Sequence, residues 1–138
     1  MKKSVLFLFI FISSFAFAQS SKSQRVKYVK VIQKVCSNQK GVQLVLKEVL
    51  ADSRCPEGVR CIWMGEIKVV VSVYEGKKLI KEEELVVSEK NDQINKEWFM
   101  NYLPPSQKNI KSINVVPYPK EGVTIDPKAY YIKIGYSK

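Results

Sequence analysis

The chain has 138 residues, with 23 Lys and Arg against 13 Asp and Glu for a formal net charge of +10, and it contains no histidine. Without histidine the usual general base, the serine and cysteine triads and the most frequent metal ligand are all missing, so most hydrolytic and metal chemistries are set aside at once. A positive balance of this size favours anionic partners such as acidic glycans or lipid headgroups, but with no arginine–aromatic alternation and no reader motif it gives no case for nucleic acid.

The first eighteen residues have the layout of a secretory signal. Lys2 and Lys3 give a positive start, Val5 to Ile12 is an unbroken apolar run, and Ala16-Phe17-Ala18 places small residues at the cleavage positions. Cleavage after Ala18 is expected, leaving a mature chain from Gln19. The apolar run is too short for a bilayer core of about 30 Å, and no later segment approaches the roughly 20 apolar residues of a membrane helix. No cysteine follows the cleavage point, so release into the periplasm or the medium is expected rather than lipid attachment. Residues 19–138 then form one domain by length. Without Lys2 and Lys3, 21 basic residues face 13 acidic ones, a net charge of +8. Most of the excess is lysine spread along the chain, as on a solvated surface, and arginine occurs only at 25, 54 and 60.

Gln19 to Arg25 is polar and reads as a frayed arm. Val26, Tyr28, Val29, Val31, Ile32 and Val35 then form a run rich in β-branched residues, and Val42, Leu44 and Leu46 alternate with polar neighbours. Ser37 to Gly41 between them is a turn by composition, so the two runs are expected to pair as a hairpin. Ile67 to Tyr74 reads as a central strand, Glu75-Gly76-Lys77 as a short turn, and Leu79 to Val87 as a half-exposed strand. Asp92 to Leu103 suits either an irregular apolar flap or a helix. In the helical reading Asp92 caps the start, Ile94, Trp98 and Tyr102 share a face with Phe99 and Leu103 beside them, and Pro104-Pro105 ends it. Ile110 to Val116 is a strand that must end, or lie at an edge, at Pro117 and Pro119. Tyr130 to Tyr136 closes the chain. Six to eight short strands without alternating long helices predict a mainly β protein, an antiparallel sandwich or small barrel.

The densest segment is Asp52 to Glu66, DSRCPEGVRCIWMGE, where two cysteines, a proline, two glycines and a tryptophan fall between strand-like runs. This pattern, D-S-R-C-P-x-x-x-x-C-x-W-x-G-E, resembles the signature of a group of small exported bacterial β-proteins, many of them lipoproteins. The flanking strands, the Pro117-Tyr118-Pro119 run and the tyrosine-rich last strand resemble that group's layout as well. The resemblance implies export and a β fold, and it carries no activity with it.

Three cysteines, at 36, 55 and 61, allow three single disulfides, and an exported chain is expected to form at least one. A Cys55–Cys61 bond is favoured, since Pro56 and Gly58 permit a sharp return and the resembling group has cysteines at both positions. Cys36 is left as a buried thiol or, less simply, an intermolecular partner. Sulfur from the two cysteines and Met64 could serve Cu(I), although the spacing fits no common site and a disulfide would consume both thiolates. Arg54, Trp63 and Glu66 are the candidate ligand-binding residues. Arg54 would pair with a carboxylate or sulfate beside a Trp63 stacking face. The competing reading puts Arg54 in an internal ion pair with Asp52 or Glu66 and Trp63 in the core, with Gly65 supplying an unusual backbone conformation. Ser37 and Lys40 match a serine–lysine pair only formally, and an Asp52–Glu66 carboxylate pair is the remaining catalytic arrangement. The expectation is a non-catalytic binding or interaction module with no cofactor, whose partner is an anionic envelope component or a protein. The alternative is a secreted inhibitor or immunity-type protein presenting the Cys55–Cys61 loop.

Overall fold

A computed structural model describes residues 25–36, 38 and 40–137. The expected signal segment, Gln19 with most of the polar arm, and Ser37 lie outside these residues. The described chain runs β1 (Lys27–Val31), β2 (Val42–Asp52), β3 (Ile67–Glu75), β4 (Lys78–Val87), α1 (Asp92–Met100), β5 (Ile110–Val116) and β6 (Tyr131–Tyr136). The strands form two antiparallel three-stranded sheets, ordered β1-β6-β5 and β2-β3-β4, packed in a sandwich-like arrangement.

Alternation explains the packing. Ile67, Val69 and Val71 of β3 face inward and share one buried cluster with Ile132 and Ile134 of β6, to which Val31, Leu46, Leu85, Phe99, Leu103, Ile110, Ile113, Val115 and Tyr130 also belong. Each such side chain contributes roughly 1.5–3 kcal/mol when fully buried. On the outer face of β2-β3-β4, Ser72 Oγ donates to the Glu82 carboxylate, which also holds Lys47 at 2.9 Å. The turn between β3 and β4 has Gly76 at φ 60°, as the short connection demands.

Two expectations need correction. The hairpin between the first two runs does not form. β1 pairs with β6, with Val29 opposite Ile134 and Val31 opposite Ile132, whereas β2 pairs with β3. The connection crosses from one sheet to the other and is held by Gln43, which donates to the Cys36 carbonyl and accepts from the Cys36 amide. A single bond from Leu46 N–H to the Ile32 carbonyl links the sheets along this side. Cys36 is exposed, not buried.

The 92–103 segment is helical over Asp92–Met100, but its buried stripe is Asn95, Phe99 and Leu103. Ile94 points to solvent, and Trp98 and Tyr102 lie at the side, with the Trp98 ring edge-on to Phe99 at 5.0 Å. The reason is a polar anchor: Asn95 Nδ2 donates to the Val86 carbonyl and turns that stripe toward β4. Asn91 holds the cap position without a side-chain bond, and Asp92 pairs instead with Lys96 one turn on. β5 ends at a cis Val116–Pro117 bond and lies at an edge of its sheet.

Candidate functional site

The corner from Asp52 to Glu66 begins as a continuation of the β2–β3 ladder. Ser53 N–H donates to the Glu66 carbonyl and Cys55 N–H to the Met64 carbonyl, both at 2.9 Å. Ser53 Oγ adds a second bond to the Glu66 carbonyl. The chain can close this tightly because Gly65 has φ 77°, and a Cβ there would overlap the Ser53 carbonyl oxygen. Beyond the ladder, Cys55 and Cys61 are joined in a disulfide with Cα atoms 5.9 Å apart. Gly58 at φ 92° and a Val59 N–H bond to the Pro56 carbonyl complete the return.

Arg54 fixes this corner to the other sheet. Its Nε and Nη2 donate to the two Asp52 carboxylate oxygens at 2.8 and 2.6 Å, while Nη1 reaches the Val115 carbonyl and Nη2 also reaches that of Pro117. The guanidinium lies 4.7 Å from the Tyr118 ring centre. Side-chain exposure is only 8% for Arg54 and 12% for Asp52. Asp52 also accepts from the Arg54 backbone N–H and from the Tyr130 hydroxyl. Burial works against its ionisation, but the Arg54 hydrogen bonds and charge, with Tyr130, outweigh it and hold the carboxyl below the ordinary aspartate range. Burial, then the neighbouring carboxylate, pushes the Tyr130 hydroxyl up. A further tie runs from Glu57 N–H to the Pro119 carbonyl at 2.9 Å.

The three candidate residues therefore separate. Arg54 is turned inward, with its guanidinium bonded to Asp52 and two carbonyls, and it borders a groove behind the corner. Trp63 is turned outward, 57% exposed, between a fully exposed Ile62 and a Met64 at 58%. Val59 is exposed on the same loop. Glu66 contributes its backbone to the ladder, and its side chain borders a small depression of about 270 Å³ with Trp63, Met64 and Lys90. The Asp52 carboxylate is committed to Arg54 and Tyr130 rather than to a pair with Glu66, and the disulfide uses both sulfurs that the copper alternative required. Among the described residues no group of three or more Asp, Glu or Cys gathers as a metal site.

Sequence reasoning missed a groove of about 410 Å³ behind the corner. It lies between Arg54, Met64 and Gly65 of the corner, the end of β4, the start of α1, the edge of β5 from Lys111 to Val115, and Tyr118. Ser88 Oγ borders this groove, buried and without a hydrogen-bond partner among the described residues. Of its lining, sequence reasoning singles out only Arg54 as a ligand-binding candidate, because the other walls come from segments far apart in the chain. No helix among the described residues is long and apolar enough to cross a membrane. No protein-family model, no curated protein and no solved structure matches the chain.

Proposed function

We propose that this chain is a small exported protein of the bacterial envelope that binds a partner without catalysis, and that the crest of its stapled corner is the contact surface. The observation that carries the reading is the contrast within one loop: a buried Arg54–Asp52 pair and a disulfide fix the base, while Ile62, Trp63 and Met64 stand in solvent at the top. Adjacent exposed apolar side chains of this size mark interaction sites more often than they serve a fold. Tryptophan is also enriched among the residues that dominate binding energy. A pre-fixed loop loses little entropy on docking, which makes the staple useful to a binder beyond its effect on stability.

Cross-linking tests this directly. A photoreactive residue replacing Ile62 in the mature protein should give a discrete adduct with one envelope component. The adduct should be competed by excess unmodified protein and disappear when Trp63→Ala is added. The same probe at Lys81, on the far edge of the β2-β3-β4 sheet, serves as reference. Equal labelling from both positions would remove the corner from the reading.

The inhibitor or immunity-type alternative is favoured by one feature, the exposed Glu57-Gly58-Val59-Arg60 stretch inside the disulfide ring. For that activity, reduction of the ring should abolish inhibition of the target enzyme.

A further inference from the structure

We propose that the outer face of the β1-β6-β5 sheet binds an acidic polysaccharide through paired lysines. This inference goes beyond the corner and stands whether or not the crest has a partner. No Asp or Glu occurs in any of the three strands, whereas Lys27, Lys30, Lys111 and Lys133 do. Because Val29 and Val31 of β1, and Ile132 and Ile134 of β6, face the core, strand alternation turns Tyr28, Lys30, Tyr131 and Lys133 to the outside.

Register then places Lys30 directly opposite Lys133. Like charges in that relation destabilise a sheet, and the strands themselves supply no carboxylate to offset them. Each ammonium instead lies over a tyrosine of the neighbouring strand, Lys30 Nζ 5.0 Å from the Tyr131 ring centre and Lys133 Nζ 4.0 Å from that of Tyr28. Gly135 makes this possible. A Cβ there would meet Ser112 Oγ at 2.6 Å and Tyr28 Cε1 at 3.1 Å, so only glycine lets the Tyr28 ring lie across β6. On the other sheet, by contrast, Lys47 and Lys81 are held by Glu82 and Glu83 at 2.9 and 2.6 Å.

The two ammonium groups thus reach in opposite directions along the face, each over its own tyrosine, and no salt bridge to Lys30 or Lys133 is formed among the described residues. Successive carboxylates or sulfates of a repeating acidic chain laid across the face would meet Lys30 and Lys133 in turn, which a single small anion would not do. Nucleic acid fits less well, since base stacking needs open ring faces and both rings here already carry an ammonium.

The test uses mature protein, residues 19–138, on immobilised heparin and polygalacturonate, with a single-stranded oligonucleotide and phosphatidylglycerol vesicles as competitors. Lys30→Gln with Lys133→Gln is compared with Lys47→Gln and Lys81→Gln, which remove the same charge from the other sheet. Affinity for the glycans should fall about tenfold or more in the first variant and less than about twofold in the second. The first should melt no lower than the parent, because a repulsive pair has been removed. Equal losses in both variants, no glycan binding by the parent, or tighter binding of the oligonucleotide or vesicles than of either glycan would each overturn the inference.

Discussion

Replacing Arg54 with methionine removes the guanidinium while keeping most of the aliphatic bulk, so the loss falls on polar contacts. The Asp52 carboxylate, 12% exposed, is left without its counter-ion, and the Val115 and Pro117 carbonyls lose their donor. Summing four bonds at the roughly 1.5–3 kcal/mol typical of charged partners gives about 6–12 kcal/mol. That sum overshoots, since the bonds share one side chain and water can enter a corner that is open on its outer side. Breaking one partner out of a buried ion pair costs about 3–5 kcal/mol, and that is the range expected here. It is a large share of the roughly 5–15 kcal/mol that stabilises an ordinary domain. Urea unfolding at neutral pH should therefore show a much lower midpoint with an unchanged slope. Asp52→Asn should also be destabilising, because the amide has one acceptor oxygen where the carboxylate uses two, and its NH2 faces donors of Arg54 or Tyr130. In the cycle with Asp52→Asn and Arg54→Met the coupling should reach about 1–3 kcal/mol. An Arg54→Met midpoint equivalent to a loss below about 1 kcal/mol would refute the internal role and return Arg54 to the list of ligand-facing residues.

Trp63→Ala should change stability by no more than about 0.5 kcal/mol, whereas Trp98→Ala, packed on Phe99 and Tyr102, should cost about 2–3 kcal/mol and remove the blue-shifted part of the fluorescence. Cys55→Ser with Cys61→Ser should lower stability by about 2 kcal/mol on the loop-entropy model with the far-ultraviolet β signal retained. The Asp52 carboxyl is held below its unfolded value of about 3.9, so the stability it contributes is present above that value and is lost as pH falls through the folded one. Urea midpoints measured from about pH 6 down to about pH 2.5 should therefore show the gap between the parent and Asp52→Asn closing below about pH 4.

Local pattern made most of the strands legible. The apolar run of Ile67 to Tyr74 reads as a central strand and Tyr130 to Tyr136 as the last one, and Pro117 requires β5 to stop or to lie at an edge. Pairing was less legible. The first run looks like the partner of the next because it is near in sequence, yet its β-branched residues pack equally well beside Ile132 and Ile134, a hundred residues away, and the pattern cannot choose between them. The helix was read from its apolar residues alone, so the stripe fell on Ile94 and Trp98. A polar Asn95 bonded to the Val86 carbonyl set the rotation, and backbone acceptors leave no trace in sequence. Arg54 shows the same limit: Asp52 is visible two residues away, but the carbonyls of 115 and 117 are not.

The direction of Trp63 was beyond the sequence for a different reason. Cys-Ile-Trp-Met-Gly has the same composition whether the loop folds under the sheet or over it, and the choice rests on Gly65 and the ladder from Ser53 and Cys55, which turn the chain outward. Once outward, Ile62 is fully exposed, while Val59, Trp63 and Met64 keep 40%, 57% and 58% of their surface in water, so folding by itself gives them only part of the burial their size could supply. The staple adds about 2 kcal/mol on the loop-entropy model, less than the roughly 3–5 kcal/mol at stake in the Arg54–Asp52 pair beneath it. A rigid base beneath an exposed apolar crest is the arrangement in which ordering has been completed before contact. Its physical consequence is that a partner burying Trp63 gains apolar burial with little loop ordering left to oppose it.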